Sequence, residues 1–207
     1  VFYRTNAQSR AIEEELTRRG VPYKVVGGTK FYDRREIKDL LAYLRAVANP
    51  SDEVSVKRIA NVPRRGVGDT SVARLDAWAT GHGASFGDAL GRAEEAGVTG
   101  KALGGISELN GLLATLRSSP QAPAGLLGQV LEHTGYLHEI EAEHTVESAG
   151  RVENVQELIG VASEYDDLDA FLADVSLVAD ADEVEGESSN VVLMTLHTAK
   201  GLEYPFV

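Results

Sequence analysis

Short apolar runs near both ends of the sequence are typical of buried strands. Two of them, residues 1–4 and 23–26, flank a stretch at 7–19 whose apolar positions follow a helical period. A third run at 190–195 predicts another strand, and 204–207 is predicted to begin one more. Strand–helix–strand spacing is typical of an α/β sheet, so both ends of the chain predict parts of an α/β domain.

The middle of the chain carries an almost entirely helical pattern. Its first helix follows Asp33, which together with Glu36 predicts a capping box. Ser51 and Asp69 are predicted to cap the next two helices, and Ser85 is predicted to begin the one after them. The helices after the first, separated by Gly, Pro or Asn, are predicted at 52–60, 70–79, 85–94, 101–117, 123–134, 136–143, 146–164 and 168–177. The pattern therefore predicts a mostly α fold, in which a helical insertion interrupts an α/β domain.

The composition supports a folded core and narrows the chemistry. Hydrophobic residues make up 43% of the 207 residues, which is enough to bury a core. No apolar run approaches the ~18 residues of a membrane span. The absence of cysteine excludes disulfides, thiolate metal sites and a cysteine nucleophile, and it fits a reducing cytoplasm. The chain has no initiator methionine and begins and ends in apolar runs, so we interpret it as a piece of a longer protein.

The charge is distributed unevenly along the chain. The net charge is −12, yet residues 1–78 hold 15 Lys/Arg and 10 Asp/Glu, a net of +5, whereas 79–207 hold 5 and 22, a net of −17. Such asymmetry is typical of a polyanion site confined to one part of a protein. A solvated surface whose charges are segregated is the alternative. Part of the acidic half, residues 180–189, consists of small and acidic residues and predicts a linker.

Several self-contained catalytic motifs are absent from the sequence. No G-x-x-x-x-G-K-[ST] phosphate loop, G-x-S-x-G elbow or H-E-x-x-H helix occurs. His133 and His138 are five residues apart, which does not align them on one helix face, and 180–185 lacks the ligand pattern of a calcium loop. We therefore predict no metal site in this chain.

The strongest local signal is the segment 62–70, VPRRGVGDT. Two glycines flank one apolar residue directly before a helix, and glycines allow a phosphate to approach backbone N–H donors. Arg64, Arg65 and the Thr70 hydroxyl add further donors. This is the logic of hairpins that hold the duplex backbone without reading bases. A plain helix–helix turn is the alternative.

Two further signals follow predicted strands. Residues 3–10, YRTNAQSR, place polar side chains at a helix N-terminus, which is where α/β sheets bind ligands. Residues 194–204, MTLHTAKGLEY, carry a His, two Thr, a Lys and a Glu after a strand, which suits a phosphate or a sugar hydroxyl. Ordinary capping and a surface turn are the respective alternatives.

Together these segments resemble the UvrD/PcrA/Rep family of superfamily-one DNA helicases. Residues 3–10 resemble the segment that opens the second motor half, and 27–39, GGTKFYDRREIKD, resemble the next. Residues 61–68, NVPRRGVG, resemble the glycine motif that contacts duplex, and 195–204 are similar to helicase motif V. Residues 80–180 resemble the family mainly in helical character and length.

The resemblance implies a domain layout and a set of site residues. Residues 1–30 and 189–207 would be the two parts of a RecA-like domain called 2A, and 31–188 would be the helical 2B domain. The residues implied to face single-stranded DNA are Arg4, Asn6, Lys30 and His197. Those implied to grip duplex DNA are Arg64, Arg65, Gly66, Gly68 and Thr70. Glu203 is implied to hold the ATP ribose.

The resemblance also bounds what this chain does by itself. The Walker motifs and the first motor half have no counterpart in it, so ATP and Mg²⁺ are expected in the full-length parent and no cofactor is expected for this piece alone. The parent is expected to be a bacterial 3′–5′ helicase that acts on single strands and duplex junctions of DNA. It is expected in the cytoplasm, associated with the nucleoid and not with a membrane, with repair or transcription proteins as possible partners. A non-catalytic interaction module and a recombination nuclease-helicase are the alternatives.

Overall fold

The computed structural model describes residues 1–119, 121–181, 191–200 and 202–203. It is mostly helical, with one small parallel sheet, as the sequence predicts. The strands are β1 (Phe2–Tyr3), β2 (Tyr23–Val26) and β3 (Val191–Thr195). The helices are α1 (Ser9–Arg18), α2 (Arg35–Ala48), α3 (Glu53–Ile59), α4 (Asp69–His82), α5 (Phe86–Gly91), α6 (Gly100–Ser118), α7 (Pro123–Thr134), α8 (Tyr136–Glu141), α9 (Val146–Ala162) and α10 (Leu168–Ala181).

The sheet joins the two ends of the chain. Its strand order is β1-β3-β2, and β3 pairs in parallel with both neighbours. Met194 stands opposite Phe2 on one side and Val26 on the other, and it is fully buried. The predicted strand at 204–207 and most of the predicted linker lie outside the described residues. Helix α10 extends to Ala181, so the expected linker start at 180 is helical instead.

The helical part is built around α2. This helix buries a continuous apolar face that includes Ile37, Leu40 and Leu44, and it packs against α3, α6, α7, α9 and α10. Its spacing of apolar residues is the i, i+3, i+4, i+7 pattern of a helix that faces a core. No helix among the described residues is long and apolar enough to cross a membrane.

The predicted start of α2 is wrong in its capping. The N-cap is Arg34, without a side-chain cap, because Asp33 belongs to a preceding 3₁₀ turn and pairs instead with Lys38 at 2.6 Å. Glu36 is buried and accepts a hydrogen bond from Asn154 at 2.6 Å. A contact from a distant helix therefore replaces the local one.

The next three predicted helix starts each differ from the structure by one residue. Asp52, not Ser51, caps α3 by accepting a hydrogen bond from the N–H of Ser55 at 3.1 Å. Gly68 is the N-cap of α4, so Asp69 is its first residue rather than its cap. Ser85, predicted as the first residue of its helix, is instead the N-cap of α5 and forms a capping box with Asp88.

A buried polar network joins the sheet region to the helical part. The Arg34 guanidinium donates to Asn154 Oδ1 and to Ser9 Oγ, both at 2.8 Å. Glu13 accepts hydrogen bonds from the Phe31 N–H at 3.0 Å and from the Ser9 hydroxyl. Burial lowers the pKa of Arg34, and the nearby Glu13 carboxylate opposes that shift. The two parts of the chain are therefore held by charged and polar contacts as well as by apolar packing.

Candidate nucleic-acid interface

The turn that precedes α4 is held in shape by Asn61. Its Oδ1 atom accepts hydrogen bonds from the backbone N–H groups of Arg65 at 2.8 Å and Val67 at 3.2 Å. Val67 is buried in the helical core. Gly66 has φ = +81°, a backbone conformation that glycine adopts without strain. The inner side of the turn is therefore fixed by contacts within the chain.

The Arg65 side chain points into the turn rather than away from it. Its Nη1 atom donates to the carbonyl oxygens of Ile59 (3.0 Å), Val62 (2.8 Å) and Pro63 (3.1 Å). Its Nη2 atom donates to the hydroxyl of Tyr43, which is fully buried. This geometry differs from the predicted phosphate contact, because the guanidinium is already bound to backbone. It fits a residue that holds the turn.

The outer side of the turn is open. Arg64, Gly66, Gly68 and Thr70 are exposed. Among the described residues, none forms an ion pair or hydrogen bond with the Arg64 side chain, and none accepts a hydrogen bond from the N–H of Gly66 or Gly68. A Cβ atom added at Gly68 would meet nothing within 4 Å. The turn thus presents free donors and a cation to solvent, next to the positive end of the α4 dipole.

The turn rests on the first two turns of α6. A Cβ atom at Gly105 would overlap the carbonyl oxygen of Arg65, so only glycine lets the turn lie this close. A Cβ atom at Gly66 would lie 2.9 Å from Cγ of Lys101. Helix α6 therefore provides the surface that supports the turn.

The residues implied to face single-stranded DNA follow the carboxyl ends of the strands. Arg4 and Asn6 come after β1, Lys30 comes after β2, and His197 comes after β3. Arg4, Asn6 and His197 are exposed, and Lys30 Nζ lies 5.2 Å from the centre of the Tyr23 ring. Because the strands are parallel, their carboxyl ends share one edge of the sheet.

Contacts between these segments show how closely they approach each other. A Cβ atom at Gly28 would lie 3.9 Å from Asn6 Oδ1, and one at Gly27 would lie 2.9 Å from Thr198 Oγ1. The hydroxyls of Thr195 and Thr198 are 2.9 Å apart. The chain start, the Gly27–Gly28 pair and the loop after β3 therefore lie beside one another.

The Glu203 side chain is exposed at the end of the described chain, after the Thr195–Thr198 turn. No group of His, Asp and Glu side chains in the described ranges is arranged to hold a metal ion.

A family model described as the UvrD-like helicase C-terminal domain matches residues 1–94 and 109–207. The chain belongs to this family. It is 42% identical over 221 residues to the ATP-dependent DNA helicase PcrA of Bacillus subtilis (strain 168) and 43% identical over 217 residues to PcrA of Staphylococcus aureus (strain Mu50 / ATCC 700699). It is 46% identical over 235 residues to the ATP-dependent DNA helicase UvrD1 of Mycobacterium bovis (strain ATCC BAA-935 / AF2122/97). Each match covers 100% of this chain and 30% of the relative.

The sequence does not predict the roles of three residues that hold or support the turn before α4. Asn61 and Tyr43 hold the turn through hydrogen bonds that depend on the path of the chain. Asn61 opens the segment 61–68 that resembles the glycine motif, but the segment does not indicate this role, and no local pattern marks Tyr43. Gly105 had a signal, since a glycine inside a predicted helix costs stability relative to alanine and can indicate a packing reason. It lies in the segment 95–108, which the family model does not match.

Proposed function

We propose that this chain is the part of an ATP-dependent DNA helicase that contacts both single-stranded and duplex DNA. Residues 1–30 and 189–207 belong to the RecA-like 2A domain, and 31–188 form the helical 2B domain. The curated relatives named above are ATP-dependent DNA helicases, and this chain spans 30% of their length. The helicase activity therefore belongs to the whole protein.

The observation that carries this proposal is the open outer side of the turn before α4. Free N–H groups at Gly66 and Gly68, the Arg64 cation and the Thr70 hydroxyl suit the oxygens of a phosphate backbone. Contacts of this kind read no base edge, and a translocating motor has to bind every sequence alike. Arg65 contributes by holding the turn.

The edge of the sheet has a separate role in this proposal. The segments that carry Arg4, Asn6, Lys30 and His197 face single-stranded DNA, and Glu203 accepts a hydrogen bond from the ATP ribose. Carboxylates are strong acceptors for hydroxyl donors. ATP phosphates and Mg²⁺ are held in the parent by other segments, because this sequence has no phosphate loop. Purified alone, the 207-residue chain is expected to release no phosphate from ATP, with or without DNA.

A glycine substitution tests the duplex contact. Gly68 has φ = −93° and open space around its side-chain position, so Gly68→Ala is accommodated without overlap inside the protein. The added methyl group blocks the approach of a phosphate. Gly111→Ala is the matched control, since Gly111 also has open space around it but lies away from the turn, in α6.

The measurement is a titration of labelled 20-base-pair duplexes of two sequences at low salt, with circular dichroism to confirm folding. We expect weak binding, at or beyond the ~10⁻⁴ M end of non-specific affinity. Gly68→Ala should weaken it equally for both sequences, and Gly111→Ala should leave it unchanged. If folded Gly68→Ala binds like the wild type, the turn is a helix connector. The acidic remainder of the chain would then favour an interaction module for basic partners, such as repair or transcription proteins.

A further inference from the structure

Lys101 lies beside the turn but on a different element, the first turn of α6. Its aliphatic stem packs over Gly66, with Cγ 2.9 Å from the position of a Cβ atom there. The side chain is nevertheless exposed. The stem is thus fixed against the turn while the ammonium group remains in solvent, an arrangement typical of long cationic side chains.

The ammonium group of Lys101 differs from the other cationic groups of residues 79–181. Residues 79–181 contain four Lys or Arg residues. Arg92 pairs with Glu95, Arg151 pairs with Glu143, and Arg117 donates to a backbone carbonyl of α2. Among the described residues, no carboxylate or carbonyl is within bonding distance of the Lys101 ammonium.

The segment that leads into α6 has the same design as the turn that leads into α4. Before α6, Gly97 has φ = +77°, Val98 is buried and Thr99 is the N-cap. The turn before α4 has the same order of a positive-φ glycine, a buried valine and an N-cap residue. Arg74 of α4 donates to the Gly97 carbonyl at 2.5 Å and joins the two segments. Lys101 therefore occupies the position in its helix that Thr70 occupies in α4.

We propose that Lys101 is a second cationic contact to the nucleic-acid backbone that the turn before α4 binds. The interface then has two elements, with Arg64 on the turn, two residues before Gly66, and Lys101 on α6, whose stem packs over Gly66. This inference rests on the proposed duplex contact. It adds a residue from the segment 95–108, which the family model leaves unmatched.

The test removes the charge and keeps the stem. Lys101→Met retains a long apolar side chain over Gly66, whereas Lys24→Met removes the same charge from an exposed residue of β2 and serves as the control. The whole 207-residue chain is titrated with a labelled 20-base-pair duplex at several salt concentrations. Arg64→Ala and Lys101→Arg complete the set, and thermal melts confirm that each variant is folded.

Each outcome separates the inference from the function on which it rests. We expect Lys101→Met and Arg64→Ala each to reduce the slope of log affinity against log salt by about 0.9. Lys101→Arg, which keeps the charge, and Lys24→Met, the control, should both have the wild-type slope. If Arg64→Ala reduces the slope while Lys101→Met behaves like Lys24→Met, the duplex contact stands and the inference about Lys101 is overturned. If the wild type shows no salt-dependent binding, or Arg64→Ala and Gly68→Ala bind like it, both are overturned.

Discussion

Two adjacent arginines are expected to give opposite results when each is changed to alanine. Arg65 has its guanidinium bound to three carbonyls and to the buried Tyr43 hydroxyl, whereas Arg64 is exposed and bound to nothing among the described residues. Arg65→Ala should therefore lower the stability of the fold. Arg64→Ala should lower the affinity for duplex without changing stability.

The size of the stability loss follows from the hydrogen bonds that Arg65→Ala removes. A hydrogen bond to a charged group contributes about 1.5–3 kcal/mol. The three carbonyls share one nitrogen atom of Arg65, so we count them as one such bond and the bond to Tyr43 as a second. Because the site is only partly buried, we take the low end, about 3 kcal/mol. For a chain of this length that corresponds to a fall of about 6–12 °C in melting temperature.

Urea denaturation and thermal melts measure the stability, and duplex titrations at several salt concentrations measure the contact. Arg64→Ala should unfold within about 0.5 kcal/mol of the wild type and should lose about one unit of salt slope. If Arg65→Ala instead stays within about 1 kcal/mol of the wild type and loses one unit of slope, the guanidinium contacts phosphate directly. The role assigned to it in holding the turn would then be wrong.

Three further predictions concern the support of the turn, the motif after β3 and the ionisation of Tyr165. Gly105→Ala should destabilise the fold by about 1–3 kcal/mol, because the added methyl group overlaps the turn. Gly104 has open space around it, so Gly104→Ala should be neutral or stabilising. The urea midpoints of the two variants provide the comparison. In a full-length parent, Glu203→Ala should mainly raise the KM for ATP, measured by steady-state kinetics, and His197→Ala should mainly weaken single-strand binding, measured by titration. If Glu203→Ala weakens strand binding and His197→Ala raises the KM instead, these roles are wrong. The hydrogen bond to Asp174 raises the pKa of Tyr165 to about 12, above the unfolded value of about 10. Its contribution to stability is therefore fully present below pH 10 and is lost between pH 10 and 12; urea midpoints at pH 9 and 11 should show a smaller loss for Tyr165→Phe than for the wild type.

Elements with strong local signals could be predicted closely from the sequence. The predicted strand 23–26 and helix 123–134 match the structure residue for residue. For α7, a proline opens the helix and Gly135, with φ = +65°, closes it, so both boundaries are set by local chemistry.

Features that depend on distant contacts could not be predicted in this way. The capping box expected before α2 fails because Asn154, 118 residues away, takes the Glu36 carboxylate. The orientation of Arg65 is a similar case, since its sequence neighbourhood suits a phosphate contact as well as a structural role. Only the folded path of residues 59–63, which brings three carbonyls to one nitrogen, distinguishes the two.

The position of β3 between β1 and β2 has a consequence for biosynthesis. Strands β1 and β2 are not paired with each other, and their shared partner begins 165 residues after β2 ends. At translation rates of roughly 5–20 residues per second, that interval is roughly 10–30 s. The helical part, which ends with α10 at Ala181, is synthesised in that interval. A chain that is cut short between α10 and β3 therefore has all of its helices but lacks the strand that joins β1 and β2, and the backbone groups of those two strands are open to pairing with other chains.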